Sequence, residues 1–165
     1  MSGALGSAPV PAIEPGTDHL RGDATAGILL VYTDFECPFC GALHARLRDD
    51  PRALVVRHFP VRSSHPRAWA AACAAEAAAE QGCFWEMHDA LFADPARLED
   101  PHLWQRARSL GLDLERFDAE RRAERTLARV RRDFRSGVRA GIVTTPAVFA
   151  GAGDGTFQAV ARETI

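Results

Sequence analysis

The sequence predicts an α/β fold, and three features of the first third of the chain support this. A short apolar run at 27–33 has the composition of a buried strand, and a second such run covers 53–59. The 39–48 segment between them has its apolar residues at helical spacing. Because a helix joins the two strands, a parallel βαβ unit with a right-handed crossover is the economical arrangement.

The remaining elements follow from residue spacing and from helix-breaking residues. Residues 68–80 are almost all alanine, the strongest helix former, so this segment predicts a helix. Shorter helical segments follow, and a last long helix is predicted over roughly 114–140. The chain then returns to strand at 146–150 and pairs with 156–160 as a hairpin.

Length and composition indicate one globular domain. The chain has 165 residues, of which 47% are hydrophobic and 25% are charged. Its formal charge of −2 does not indicate a nucleic-acid or anionic-membrane partner. Residues 1–17 are rich in Pro, Gly, Ala and Ser, so we expect them to form a flexible arm with little burial.

Two cysteines separated by two residues, Cys37 and Cys40, follow the first predicted strand. If a helix begins at Pro38, Cys37 lies at its N-cap, where unpaired N–H groups and the helix dipole favour a negative charge. A free cysteine has a pKa of about 8.5, and such surroundings lower it. We therefore predict that Cys37 is the attacking nucleophile and that Cys40, one turn later, is the resolving thiol.

Other interpretations of the cysteines remain open. Cys37 and Cys40 could be half of a zinc site with His44 as a third ligand, or they could be ordinary buried cysteines. Cys73 lies in the alanine-rich helix and is interpreted as a small buried hydrophobe. Cys83 stands at a predicted helix start without a partner cysteine nearby in sequence, and its role is undecided.

A Cys-x-x-Cys beside a βαβ unit is typical of thioredoxin-like proteins. Further motifs accompany it at 34–40, 57–60, 65–66, 70–71, 81–82, 84–85, 110–113, 141–142 and 144–147. Together these segments resemble the DsbA-like thiol-disulfide oxidoreductases of the thioredoxin superfamily. The resemblance covers most of the chain and is far more specific than the Cys-x-x-Cys alone.

The resemblance implies an α/β, thioredoxin-like fold with a large α-helical insertion between the second strand and the cis-proline strand. The thioredoxin-like domain would comprise 18–62 and 140–165, and the insertion would comprise 63–139. Thr145-Pro146 occupies the position of the family's cis-proline, although a proline that merely begins a strand is the alternative.

The resemblance also implies a substrate-binding surface beside the cysteines. Pro38, Phe39, Thr145 and Pro146 are the substrate-binding candidates. Backbone groups of Thr145 would pair in β fashion with an extended substrate chain.

The sequence departs from the family at several points, including the Pro38-Phe39 dipeptide, which has no histidine between the cysteines. The strand position six residues before the nucleophile, where relatives often carry a buried carboxylate, is Val31. Proton transfer at Cys40 would then use water or one of Asp34, Glu36 and His58. The chain also has few residues after the hairpin, which implies an open sheet face, a truncated chain or a covering partner.

The expected function is thiol-disulfide exchange with cysteine-containing proteins or low-molecular-weight thiols, supported by an unknown redox partner. The alternative is a non-catalytic thioredoxin-fold module for binding or redox sensing, related to the soluble domains fused to transporters. We expect no metal, no organic cofactor, no nucleic acid and no membrane span. Since no signal peptide is visible, a cytoplasmic location is expected unless a targeting segment was removed.

Overall fold

The computed structural model describes residues 8–152 and 155–165. In this part of the chain one mixed sheet contains the strands β1 (His19–Arg21), β2 (Ile28–Thr33), β3 (Ala53–His58), β4 (Ala147–Gly151) and β5 (Phe157–Val160). The α-helices are α1 (Pro38–Arg46), α2 (Ala68–Ala79), α3 (Phe84–Ala93), α4 (Asp100–Ser109), α5 (Leu114–Arg122) and α6 (Glu124–Arg139). None of these helices is both long and apolar enough to cross a membrane.

The sheet has the order β1-β3-β2-β4-β5, and its centre is the predicted βαβ unit. β2 and β3 are parallel, with Ile28 opposite Ala53 and Thr33 opposite His58, and α1 connects them. Every residue of both strands is buried, which is typical of strands covered on both faces. β1, β4 and β5 each pair antiparallel with a neighbour. The prediction of a thioredoxin-like α/β fold is confirmed.

The two faces of the sheet have separate cores because alternate residues of a strand point to opposite sides. Leu29 and Val31 of β2 pack into a large core with side chains of α1 to α5. Leu30 and Tyr32 pack on the other face, where Phe134 of α6 covers them. The cysteine pair belongs to the first of these cores.

Five helices, α2 to α6, lie between β3 and β4, where the helical insertion is predicted. The last two differ from the prediction, because the expected single helix over 114–140 is interrupted at Ala123, whose backbone is extended (ψ 139°). Phe117 and Val130 are both fully buried but belong to different clusters. Thirteen residues apart, they would point in directions about 140° apart on one continuous helix. The break allows both to be buried.

Within the predicted arm, residues 8–17 are mostly exposed, as expected, but some of them contact the domain; residues 1–7 lie outside the described residues. Val10 is buried, and the Ala8 N–H donates to the Arg139 carbonyl oxygen (2.9 Å). The physical reason is Arg57, which is buried on β3 and therefore needs hydrogen-bond acceptors. Its guanidinium donates to the Pro11 and Ala12 carbonyl oxygens, 2.9 Å each.

The polar segment that follows the arm contains β1, which the sequence pattern did not indicate. β1 pairs antiparallel with β3, with Leu20 opposite Val55. Asp18, just before β1, is fully buried at its side chain and accepts two hydrogen bonds from Arg57 (2.8 and 3.1 Å). This ion pair fixes the start of β1 at the sheet edge, because breaking it would leave an uncompensated buried charge.

Candidate active site

Cys37 is placed at the start of α1 by a tight turn after β2. Its N–H donates to the Asp34 carbonyl oxygen (3.2 Å), and its extended backbone makes it the N-cap residue. Pro38 follows in the first helical turn, where its missing N–H leaves no acceptor unpaired. The predicted start of the helix is therefore confirmed, and the sulfur lies at the positive end of the helix dipole.

The pKa values of the two thiols in the motif are shifted in opposite directions. A hydrogen bond with the Cys40 thiol, together with the Phe39 and Cys40 backbone N–H groups and the Thr145 side chain, lowers the pKa of Cys37 to about 5, although burial opposes this. Burial and the neighbouring Cys37 thiol raise the pKa of Cys40 well above its usual range. The Asp34 N–H donates to the Cys40 sulfur at 3.5 Å. The pair thus combines an acidic thiol with a buried, protonated one.

The loop before β4 faces Cys37. β4 pairs antiparallel with β2, with Ala147 opposite Tyr32, and this pairing brings Thr145-Pro146 beside the start of α1. The Cys37 thiol donates to the Thr145 carbonyl oxygen at 3.5 Å. The Thr145–Pro146 peptide bond is cis, which is the isomer that the resemblance implied.

Exposed apolar side chains surround this junction. Phe39, between the two cysteines, is 61% exposed, and Val143, before the cis-proline, is 89% exposed. An open groove of about 460 Å³ runs along the same loop, lined by Ile142, Pro146 and Phe149 among others. Apolar surface next to a reactive sulfur is suited to an unfolded or extended polypeptide.

Asp34, the first candidate for proton transfer, already has several donors. One carboxylate oxygen accepts the Glu36 N–H (2.8 Å), and the other accepts the Val61 N–H (2.8 Å) and lies 2.9 Å from His65 Nδ1. The carboxyl is fully buried. This side chain therefore ties the active-site turn to the residues after β3.

The other two candidates are also bound elsewhere. Glu36 accepts the Arg67 N–H and its guanidinium N–H, 2.8 Å each, at the start of α2. His58 lies 2.7 Å from a carboxylate oxygen of Glu76, a buried residue of α2. Asp34, Glu36 and His58 are therefore all engaged with other residues, and none of them is an unbound proton acceptor for Cys40.

His44 and Thr33, which the sequence did not connect with proton transfer, lie beside the resolving thiol. Together with Cys40 and His88, they line a small pocket of about 10 Å³. This volume corresponds to about one water molecule. The spacing of Cys40 and His44, four residues apart on a helix, could have indicated their proximity.

The remaining cysteines differ from the pair. Cys73 is 3% exposed, and burial raises its pKa to about 11, which confirms the prediction of a small buried hydrophobe. Cys83 occupies the N-cap of α3 and is partly exposed. The potential metal ligands that the described residues bring together are His44, His88 and Asp89, so His44 is not grouped with the cysteine pair as the zinc interpretation required.

The comparisons with known proteins concern the family and the fold of the chain. A family model described as "DSBA-like thioredoxin domain" matches residues 54–163. Among curated proteins, the chain is similar to the Na(+)/H(+) antiporter NhaA 1 of Mycobacterium sp. (strain KMS), with 40% identity over 149 residues. The match covers 85% of this chain but 24% of the antiporter, so the chain spans about a quarter of the length of that relative.

Solved structures with the same fold come from several bacteria. A thioredoxin-like oxidoreductase from Silicibacter pomeroyi superposes with a TM-score of 0.76 at 22% identity, covering 90% of this chain and 88% of the other. The thiol-disulfide exchange protein α-DsbA2 of Wolbachia pipientis gives 0.73 at 17% identity, with coverages of 91% and 84%. At these identities the likeness establishes the fold.

Proposed function

Because the chain belongs to the DSBA-like thioredoxin domain family, we propose that it is a thiol-disulfide oxidoreductase in which Cys37 exchanges disulfides and Cys40 resolves them. One observation carries this proposal. The acidic Cys37 sulfur lies between the start of α1, the Cys40 thiol and the Thr145 carbonyl oxygen at 3.5 Å. A thiolate in that position is the nucleophile that disulfide exchange requires.

In the first step, the Cys37 thiolate attacks one sulfur of a substrate disulfide. A bond forms between Cys37 and that sulfur while the substrate S–S bond breaks, and the other substrate sulfur leaves as a thiolate. Since the pKa of Cys37 is lowered to about 5, this thiol is largely ionised at neutral pH. No separate general base is needed for the attack.

In the second step, Cys40 attacks the Cys37 sulfur. Cys40 gives up its proton, which the departing substrate thiolate takes, and the mixed disulfide breaks as the Cys37–Cys40 disulfide forms. The substrate has then gained two electrons and the protein has lost two. The reverse sequence oxidises a substrate dithiol. Burial of Cys40 keeps it protonated until a mixed disulfide is present.

The substrate would dock where the apolar surface meets the cis-proline loop. The Thr145 backbone lies beside the nucleophilic sulfur, so an extended chain pairing with it presents its own sulfur to Cys37. Exposed Phe39 and Val143 would contact apolar side chains on either side. This arrangement favours cysteine-containing polypeptides over small thiols.

The acidity of Cys37 also bears on the direction of catalysis. A stabilised thiolate favours the dithiol form of the protein, so the disulfide form becomes a stronger oxidant. We therefore propose net oxidation of substrate thiols. Equilibration with glutathione buffers should give a reduction potential clearly above thioredoxin's value of about −270 mV. A potential at or below that value would reverse the proposed direction.

Catalysed reduction of insulin by dithiothreitol tests the activity. The wild-type protein should accelerate insulin precipitation, and C37S should have no activity above the uncatalysed rate. C83S is the matched control, because Cys83 also begins a helix but lies outside the motif. Full activity in C37S would reject the proposal.

A second candidate is a module that senses or binds thiols without turnover, and the relatives favour it. The chain matches about a quarter of an Na(+)/H(+) antiporter at 40% identity, so a related segment is part of a transporter there. Such a module would capture one partner per Cys37 and release it slowly. Stoichiometric mixed-disulfide formation without multiple turnovers of insulin would support this candidate over the enzyme.

A further inference from the structure

A cluster of potential metal ligands lies between α1 and α3, apart from the thiols. His44 is on α1, and His88 and Asp89 are adjacent on α3. The ligand atoms of the three residues lie within 4.8 Å of one another. The imidazoles of His44 and His88 are buried, whereas the Asp89 side chain is 45% exposed, so the cluster has one side open to solvent.

The strongest observation is that His44 has no hydrogen-bond partner. Both of its ring nitrogens are buried and make no hydrogen bond with the described residues, and the side chain is only 7% exposed. A buried polar group without a partner is unfavourable, and an ion or a water molecule is the usual explanation. The imidazole stacks on Phe92, which fixes the ring and leaves its edge available to a ligand.

Two of the three separations between ligand atoms are close to that of a tetrahedral metal ion. Asp89 Oδ1 lies 2.9 Å from His88 Nδ1 and 3.6 Å from His44 Nε2. Ligands about 2.1 Å from a tetrahedral ion are about 3.4 Å apart, which falls between these two values. The two imidazole centres are 4.9 Å apart. Two histidines on one such ion place their ring centres about 5 Å apart.

The chemical types of the three groups also suit a cation. A neutral imidazole offers one ring-nitrogen lone pair, and a carboxylate supplies a negative charge. Arg21 donates to both Asp89 oxygens (2.8 and 3.0 Å) and would orient the ligand from outside.

We propose that His44, His88 and Asp89 form a binding site for one divalent transition-metal ion of the zinc type, with the fourth position facing solvent. Two imidazoles and one carboxylate suit Zn²⁺, Co²⁺ or Ni²⁺, whereas Mg²⁺ and Ca²⁺ require mainly oxygen ligands. The ion would replace the proton between His88 Nδ1 and Asp89, and the ring would keep its proton on Nε2. The site does not use Cys37 or Cys40, so it stands independently of the proposed activity.

Cobalt absorption spectroscopy and zinc calorimetry test this proposal on the full chain. The accessible thiols are first blocked with iodoacetamide, and thiolate charge-transfer absorption would report ligation by a buried sulfur. One equivalent of Co²⁺ should then produce the visible bands of a tetrahedral site without thiolate charge-transfer absorption, and Zn²⁺ should displace it. Absence of both 1:1 zinc binding and the visible bands would overturn the proposal.

Variants locate the site. H44N and D89N should each weaken Zn²⁺ binding at least about tenfold, because each removes a ligand. H102N, which removes a histidine of α4, should bind as the wild type does. Circular dichroism shows whether each variant is folded. If H44N unfolds, D89N still tests the site, because Asp89 is partly exposed and its substitution should disturb the fold less. Wild-type affinity in both ligand variants, or equal loss in H102N, would contradict the assignment.

Discussion

Two helices of the described chain begin with a cysteine, and comparing them separates the contribution of a helix start from that of the surrounding groups. Cys37 is the N-cap of α1 and Cys83 is the N-cap of α3, so both lie at the positive end of a helix dipole. Cys37 has an extended backbone (ψ 119°), whereas Cys83 does not (ψ 35°). Both cysteines therefore lie at a helix start, and the groups around the two sulfurs are different.

The start of α1 has a second thiol and a facing loop. Cys40 contributes most to the lowered pKa of Cys37, and the Thr145 carbonyl oxygen lies 3.5 Å from the sulfur. At the start of α3, the Cys83 N–H instead donates to the Ala78 carbonyl oxygen at the end of α2 (2.9 Å). The negative end of one helix dipole thus meets the positive end of another. The partner thiol therefore contributes more than the helix start to the lowered pKa of Cys37.

The largest expected effect is on turnover in C40A. This substitution removes the partner thiol, so the start of α1 then has a single cysteine, as the start of α3 does. In C40A, Cys37 can still attack a substrate disulfide but cannot be released by an intramolecular thiol. Because intramolecular attack has a very high effective concentration, turnover should fall by at least about 100-fold. A mixed disulfide with the substrate should accumulate and be visible by mass spectrometry. C83A is the control, and its turnover should be unchanged. Near-wild-type turnover in C40A would contradict the role of Cys40 as the resolving thiol.

A medium effect is expected in the pH dependence of stability. The pKa of Cys37 is about 5 in the folded protein and about 8.5 in an unfolded chain, so the thiolate stabilises the fold at high pH. This contribution is complete above the unfolded value and is lost as the pH falls towards 5. Between pH 6 and pH 8, the reduced protein should gain about 2–3 kcal/mol relative to C37A in urea denaturation.

Two controls belong to that measurement. The oxidised protein has no Cys37 thiol to titrate, so this gain should be absent from it. C83A should keep the gain, because Cys37 and Cys40 are both present. Parallel pH profiles for the reduced wild type and C37A would show that Cys37 is not acidified by folding.

The smallest effect concerns the loop that faces Cys37. T145V removes the hydroxyl that stabilises the thiolate but keeps the backbone carbonyl. The alkylation midpoint of Cys37 should rise by about one pH unit, the equivalent of one hydrogen bond to a charged group. The shift should be smaller than that in C40A, whose thiol contributes most. A larger shift in T145V would make the loop, rather than the partner thiol, the main source of acidity.

Much of the site was predictable because it depends on local sequence. The strand before Cys37, the helix start at Pro38 and the spacing to Cys40 all follow from a few adjacent residues. The family resemblance located Thr145-Pro146, which local spacing alone could not place beside a cysteine 108 residues away in sequence. The activity itself remains a proposal.

The parts that the sequence did not reveal depend on distant contacts. Residues 8–17 contact the domain through the buried guanidinium of Arg57, and the Pro-, Gly-, Ala- and Ser-rich sequence of the arm did not indicate this contact. The break at Ala123 arises because Phe117 and Val130 must be buried in different clusters. The surroundings of His44 required α1 and α3 to be packed together.

The pH dependence of Cys37 alkylation tests the central claim most directly. The reduced protein is treated briefly with iodoacetamide across a pH series, and the modified Cys37 peptide is quantified by mass spectrometry. We predict a midpoint near pH 5, because hydrogen bonding to Cys40 and to backbone N–H groups stabilises the thiolate. A midpoint near the value of a free cysteine, about 8.5, would contradict the account.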